Sequence, residues 1–153
     1  MSAGSVVECR VGRKLRPFVS FVKRFRFGFR SRGETQNETA SQRRRNIAFE
    51  VLELSYELIE NLREPWRVLR TKDPSLAKQL RDAANSIPSN LAEERRRTGK
   101  DKIHFWRIAA GSADEVQSHL REAKAWGDVK ESLLEVPLEL VDRILAMTWK
   151  LTN

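Results

Sequence analysis

Apolar residues recur at helical spacing in four runs between residues 47 and 151. In the first, Ile47, Val51, Leu54, Leu58 and Leu62 step by four, three, four and four, and the stripe continues loosely to Trp66 and Leu69. Pro65 lies inside this run and has no N–H for the preceding turn, so the helix should kink or divide there. Thr71-Lys72-Asp73-Pro74 closes the run, with Asp73 as N-cap and Pro74 at the first position of the next helix. The second run, Leu76, Leu80, Ala84, Ile87 and Leu91, should extend to about Arg97 and stop at Thr98-Gly99. The third carries Trp106, Ala109, Ala113, Val116, Leu120 and Ala123, a near-heptad seam with Gly127 at its end. The fourth has two adjacent stripes, Leu134, Leu138, Val141 and Leu145 beside Leu133, Leu140, Ile144, Met147 and Leu151. Pro137 is tolerable there if it falls in the first two turns.

These runs predict an all-α fold, with helices at about 44–70, 74–97, 101–126 and 131–151. Short connections favour antiparallel neighbours, hence an up-down-up-down four-helix bundle over residues 44–153. Residues 1–43 read differently. Phe18, Val22 and Phe25 have helical spacing, whereas Phe25-Arg26-Phe27-Gly28-Phe29-Arg30 alternates like a strand, and Gly33 to Gln42 is small and polar. That mixture predicts a mostly disordered leader and linker with one or two helical turns.

Two features leave room for a partner helix. The fourth run has an apolar arc wider than one seam requires. The third places Ala109-Ala110-Gly111-Ser112-Ala113 in a row, and a helical glycine costs about 1 kcal/mol relative to alanine, which close approach of another helix would offset. The alternative is that both features serve only the monomer core.

Pro88 breaks the rule of the second run, because it offers no N–H to the carbonyl of Ala84. Asn85, Ser86, Ser89 and Asn90 around it are short polar side chains able to hydrogen-bond a freed backbone group. The run Ser86-Ile87-Pro88-Ser89-Asn90-Leu91-Ala92-Glu93, with Ile108-Ala109-Ala110-Gly111-Ser112-Ala113-Asp114-Glu115 behind it, resembles a bacterial four-helix-bundle family. That family takes in the proteins encoded in intervening sequences of 23S ribosomal RNA genes and the accessory variability protein of diversity-generating retroelements. The resemblance spans roughly residues 47 to 151. It implies a homopentamer, and a link to a reverse transcriptase or to ribosomal RNA intervening sequences. One departure is plain: Glu94 stands where the family usually has glycine.

Charge divides the chain. Residues 1–45 hold twelve Arg or Lys against three Glu, whereas residues 46–153 hold seventeen against eighteen acids, so the net +8 belongs to the first third. A near-neutral domain with a basic leader is the expectation, not a uniformly basic nucleic-acid-binding domain. Five of the seven phenylalanines lie in that leader. Arginine with interleaved phenylalanine can neutralise phosphates and stack on unpaired bases, or dock on an anionic membrane; the alternative is a start codon placed too far upstream. The single cysteine, Cys9, cannot form an internal disulfide, which fits a reducing, cytoplasmic setting. No apolar run approaches the ~20 residues needed to span a bilayer.

Catalytic patterns do not emerge. His104 and His119, the two histidines, fall on the same helix fifteen residues apart, roughly 22 Å along its axis, too far to share a metal or a proton relay. Glu50, Glu53, Glu57, Glu60 and Glu64 line one face of the first helix without the Glu-x-x-His partners of a di-metal bundle, so they read as a solvated face. No enzyme, cofactor or metal is expected. An up-down-up-down bundle would instead collect Arg43, Arg44, Arg45, Arg95, Arg96, Arg97, Lys100, Lys102 and Lys150 at one end. Glu93, Glu94 and Asp101 in the same region would blunt that charge. Arg95 to Arg97 are accounted for by a helix C-terminus, whereas Arg43 to Arg45 crowd a helix start and are better accounted for by a phosphate partner or by disorder. RNA or DNA binding without base readout is therefore the first functional expectation, and a protein-interaction or structural adaptor the second.

Overall fold

The computed structural model describes residues 39–153, and the expectations placed on the leader before Thr39 lie outside them. Five α-helices occupy this span: α1 Ala40–Asn61, α2 Arg63–Lys72, α3 Pro74–Glu93, α4 Gly99–Ala125 and α5 Glu135–Thr152. Short 3-10 turns, Glu94–Arg96 and Glu131–Leu133, precede α4 and α5.

Most boundaries follow from individual residues. α1 starts at Ala40 rather than near 44, because the Thr39 hydroxyl accepts the Gln42 N–H at 3.2 Å and so caps the first turn. The first predicted helix is two helices, broken at Leu62. Pro65 cannot donate to the Asn61 carbonyl, but as the third residue of α2 it sits where no intrahelical donor is required. Asp73 caps α3 as expected, its carboxylate accepting the Leu76 N–H at 2.9 Å with Pro74 next in line. Gly127, at φ +72, closes α4 in a left-handed cap, with its N–H on Lys124 O and the Asp128 N–H on Ala123 O.

The second and fourth predicted helices need correction. α3 ends at Glu93 and tightens into a 3-10 turn, after which Arg97 and Thr98 are extended. Gly99 does not stop this helix; left-handed at φ +58, it opens the next one. The chain reverses direction within these few residues, and glycine takes the positive φ at no steric cost. Likewise residue 131 begins a 3-10 turn, and α5 proper starts at Glu135, with Pro137 in its first turn.

α1 packs on α3 and α5, α4 packs on the same two, and α2 packs on α3. Directions are read from cross-contacts. Glu94 meets Lys102, and Ser86, further back on α3, meets Ser112, further on in α4. Lys124 meets Glu131 while Gln117 meets Asp142. Ala48 shares a cleft wall with Leu91, and Leu62 with Leu80. Successive long helices therefore run antiparallel.

The core between them is continuous, and every residue of the α4 seam from Trp106 to Ala123 is buried. Both stripes of the last helical segment are buried or packed against the core, so its wide apolar arc serves the bundle itself. Gly111 is different. It is exposed, and a Cβ there would meet nothing within 4 Å, so the packing of the bundle does not require it.

Candidate nucleic-acid interface

Capping by Thr39 starts α1 about two turns before its apolar stripe, and those turns display Arg43, Arg44 and Arg45, all exposed. The antiparallel pairing of α1 with α3 sets these turns beside the reversal between α3 and α4. A cleft of about 660 Å³ results, with Arg44 and Arg45 on one side and Arg97, Lys100 and Lys102 on the other. Ile103 and Trp106 give it an apolar wall. A smaller cleft of about 170 Å³ adjoins it, sharing Arg45 and Lys102 and adding Arg95. Six of the nine expected cations thus line two adjoining clefts. Arg43, Arg96 and Lys150 are exposed and line neither.

Not all of these cations are free. Glu94 is only 2% exposed, and Lys102 Nζ stands 2.8 Å from its Oε2. Lys102 also lies 5.4 Å from the Trp106 ring centroid. Arg97 Nε donates to Glu93 at 3.1 Å, and its guanidinium covers the Phe105 ring at 5.4 Å. These two cations hold the α3–α4 turn together. Arg43, Arg44, Arg45, Arg95, Arg96 and Lys100 form no ion pair among the described residues, and Arg45 is held only by the Gln42 side-chain carbonyl. The carboxylates expected to blunt the patch are mostly committed, Glu93 to Arg97 and Glu94 to Lys102, which leaves Asp101. Because α1 and α4 begin at this end while α3 and α5 finish there, the helix dipoles oppose one another. The side chains carry the positive potential.

The remaining candidates are dispersed. His104 is exposed, with its ring edge-on to Phe105 at 5.8 Å. His119 faces Gln79 and Asp82 across the α3–α4 seam, with Glu115 beside it on α4, and its Nδ1 is 3.8 Å from Glu122. Glu50, Glu53, Glu57, Glu60 and Glu64 are all exposed, a solvated face. No helix among the described residues is long and apolar enough to cross a membrane. One cluster had no counterpart in the sequence reading: Arg70 and Arg81, from different helices, both cover Trp66.

The family described as 23S rRNA-intervening sequence protein matches residues 47–150. A crystal structure from Bacteroides thetaiotaomicron VPI-5482, of a protein with unknown function from the S23 ribosomal protein family, is similar at a TM-score of 0.59. It shares 16% identity and the match covers 70% of this chain and 98% of that one, a likeness of fold. No curated protein matches this chain.

Proposed function

The chain belongs to the 23S rRNA-intervening sequence protein family, and from that premise we propose that it is a non-enzymatic, cytoplasmic, oligomeric bundle that binds RNA or DNA through its basic end. One observation carries the reading: Arg44, Arg45, Arg95 and Lys100, none of them in an ion pair among the described residues, converge on two adjoining clefts. Such cations neutralise phosphates and release counterions, which favours polyanions over neutral partners. They position a backbone rather than read base edges. Resemblance supports a homopentamer and an accessory role beside a reverse transcriptase or a ribosomal RNA intervening sequence. In a ring the patch would be repeated around the axis, multiplying a charge that is modest in one copy. The exposed, unfilled position of Gly111 supports close approach of a second helix at that face.

Fluorescence anisotropy with a structured RNA tests the proposal. The whole chain, and a chain lacking residues 1–37, should both bind at ~50 mM salt, the shorter one more weakly. Changing Arg44, Arg45 and Arg95 to Gln should weaken binding and reduce the salt slope by about 2–3. Absence of binding by both chains at low salt would overturn the reading.

A second reading, a protein adaptor, rests on exposed aromatic rings at Phe49, Tyr56, Trp126 and Trp149. It predicts a stable assembly, or a co-purified protein, free of nucleic acid. Light scattering combined with absorbance at two wavelengths separates the two.

A further inference from the structure

A cleft of about 300 Å³ lies where the α1–α2 break meets α3, apart from the basic end. Arg45 and Ile59, which belong to the two clefts, are fourteen residues apart on α1, roughly 20 Å at helical rise. Leu62, Leu80 and Ala84 make an apolar floor, and Trp66, Arg63 and Arg81 form the rim. The guanidiniums of Arg70 and Arg81 each lie 5.3 Å from the indole centroid, within cation–π reach.

Charge at this rim is unbalanced. No carboxylate among the described residues lines the cleft; of the neighbouring acids, Glu64 and Asp82 are committed to Arg67 and Lys78, and Glu60 is exposed beside Ile59. Arg63, Arg70 and Arg81 form no ion pair among the described residues. Attraction to the indole face accounts for the two stacked guanidiniums. It does not account for Arg63, which adds a third positive charge beside them. Together the groups offer an indole whose guanidinium cover a base can replace, an apolar floor and guanidinium forks suited to phosphate. Unpaired bases stack on such aromatic and guanidinium planes while phosphates meet the forks. The volume lies at the small end of ligand pockets, in keeping with one nucleotide and too small for a duplex.

We propose that this cleft binds a single unpaired nucleotide, its base displacing the Arg81 guanidinium from the Trp66 ring and its phosphate held by Arg63 and the released Arg81, presented either as a free mononucleotide or within a single strand. The inference stands apart from the basic end, because none of these residues lines that cleft.

The test follows the Trp66 indole N–H resonance of the full chain, assigned with Trp66→Phe. The probes are adenosine and uridine monophosphates, a short oligouridylate, a blunt duplex and inorganic phosphate. A saturable shift is expected with the mononucleotides, the oligouridylate or both, and not with the duplex. Response to mononucleotides identifies the free nucleotide as a source, and response to the oligouridylate alone identifies the strand. Arg63→Gln with Arg81→Gln should weaken binding about ten-fold, and Arg81→Lys, which keeps the charge without the planar fork, should fall between. Replacing Arg44, Arg45 and Arg95 by Gln should leave the Trp66 response intact even if structured-RNA binding is lost, so the two readings fail separately. No shift at millimolar nucleotide, an equal shift with duplex, or full reproduction by inorganic phosphate overturns the proposal.

Discussion

Glu94 shows how one side chain can change the meaning of several others. In the sequence it departs from a family glycine and counts as negative charge set against a basic patch. In the fold its carboxylate is buried and paired with Lys102, so it removes one cation from the surface and leaves no free charge of its own. Losing one partner of a buried pair is costly because the other remains charged in a poor solvent. Lys102→Ala should therefore destabilise the domain by about 3 kcal/mol in urea unfolding. Lys100→Ala, at an exposed and unpaired position, should stay within about 0.5 kcal/mol. Adding Glu94→Ala to Lys102→Ala should recover part of the loss. If Lys102 and Lys100 cost the same, the pair contributes nothing to the turn.

Among the elements, α3 is the one that carries its own irregularity. Pro88 leaves α3 continuous, and the polar residues beside it are used: Ser89 Oγ donates to Asn85 O at 2.8 Å, and Asn90 Nδ2 to Ser86 O at 2.8 Å. These bonds reach the carbonyls just after that of Ala84, which is the one the proline leaves without its donor. Ser86 also receives the Ser112 hydroxyl at 2.8 Å, which ties the irregular turn of α3 to the small-residue row of α4. Ends matter as much as interiors. Thr39 and Gln42 have the Thr-x-x-Gln spacing of a capping box, a signal overlooked because it precedes the first apolar residue by two turns. Thr39→Ala should cost about 1 kcal/mol or less, as fraying of the first turn. Hydrogen exchange should then speed up at Gln42 to Arg45 while amides past Val51 keep their protection. Equal loosening of the whole helix would mean that the cap does not act locally.

For the whole molecule, the bundle separates what it buries from what it shows. Leu58, Leu120 and Ile144 are completely buried, whereas Trp126 and Trp149 are 73% and 66% exposed. Leu120→Ala should cost about 2–5 kcal/mol by leaving a cavity in the core. Trp149→Ser should leave unfolding within about 0.5 kcal/mol, yet lower the mass of any assembly seen by light scattering. A large stability loss at Trp149 would place that ring inside the fold, contrary to its exposure.

Periodicity is a local property, set by 3.6 residues per turn, and the sequence by itself was enough to determine four amphipathic segments, a division of the first near Pro65, the Asp73 cap and the cap at Gly127. It also determined that the basic excess lies ahead of residue 46. Only the tertiary structure decided which charges are free. Arg97 and Lys102 stood with Arg44 and Lys100 among the candidate cations, but Glu93 at the end of α3 and Glu94 just after it consume the first two. Gly99 has the composition of a helix stop, and the reversal of the chain made it a helix start. The Trp66 cluster joins Arg70, one turn away, with Arg81 on another helix, a pairing no spacing rule anticipates. Such pairings depend on how two helices cross and in what register, and those quantities arise from the packing of the entire core.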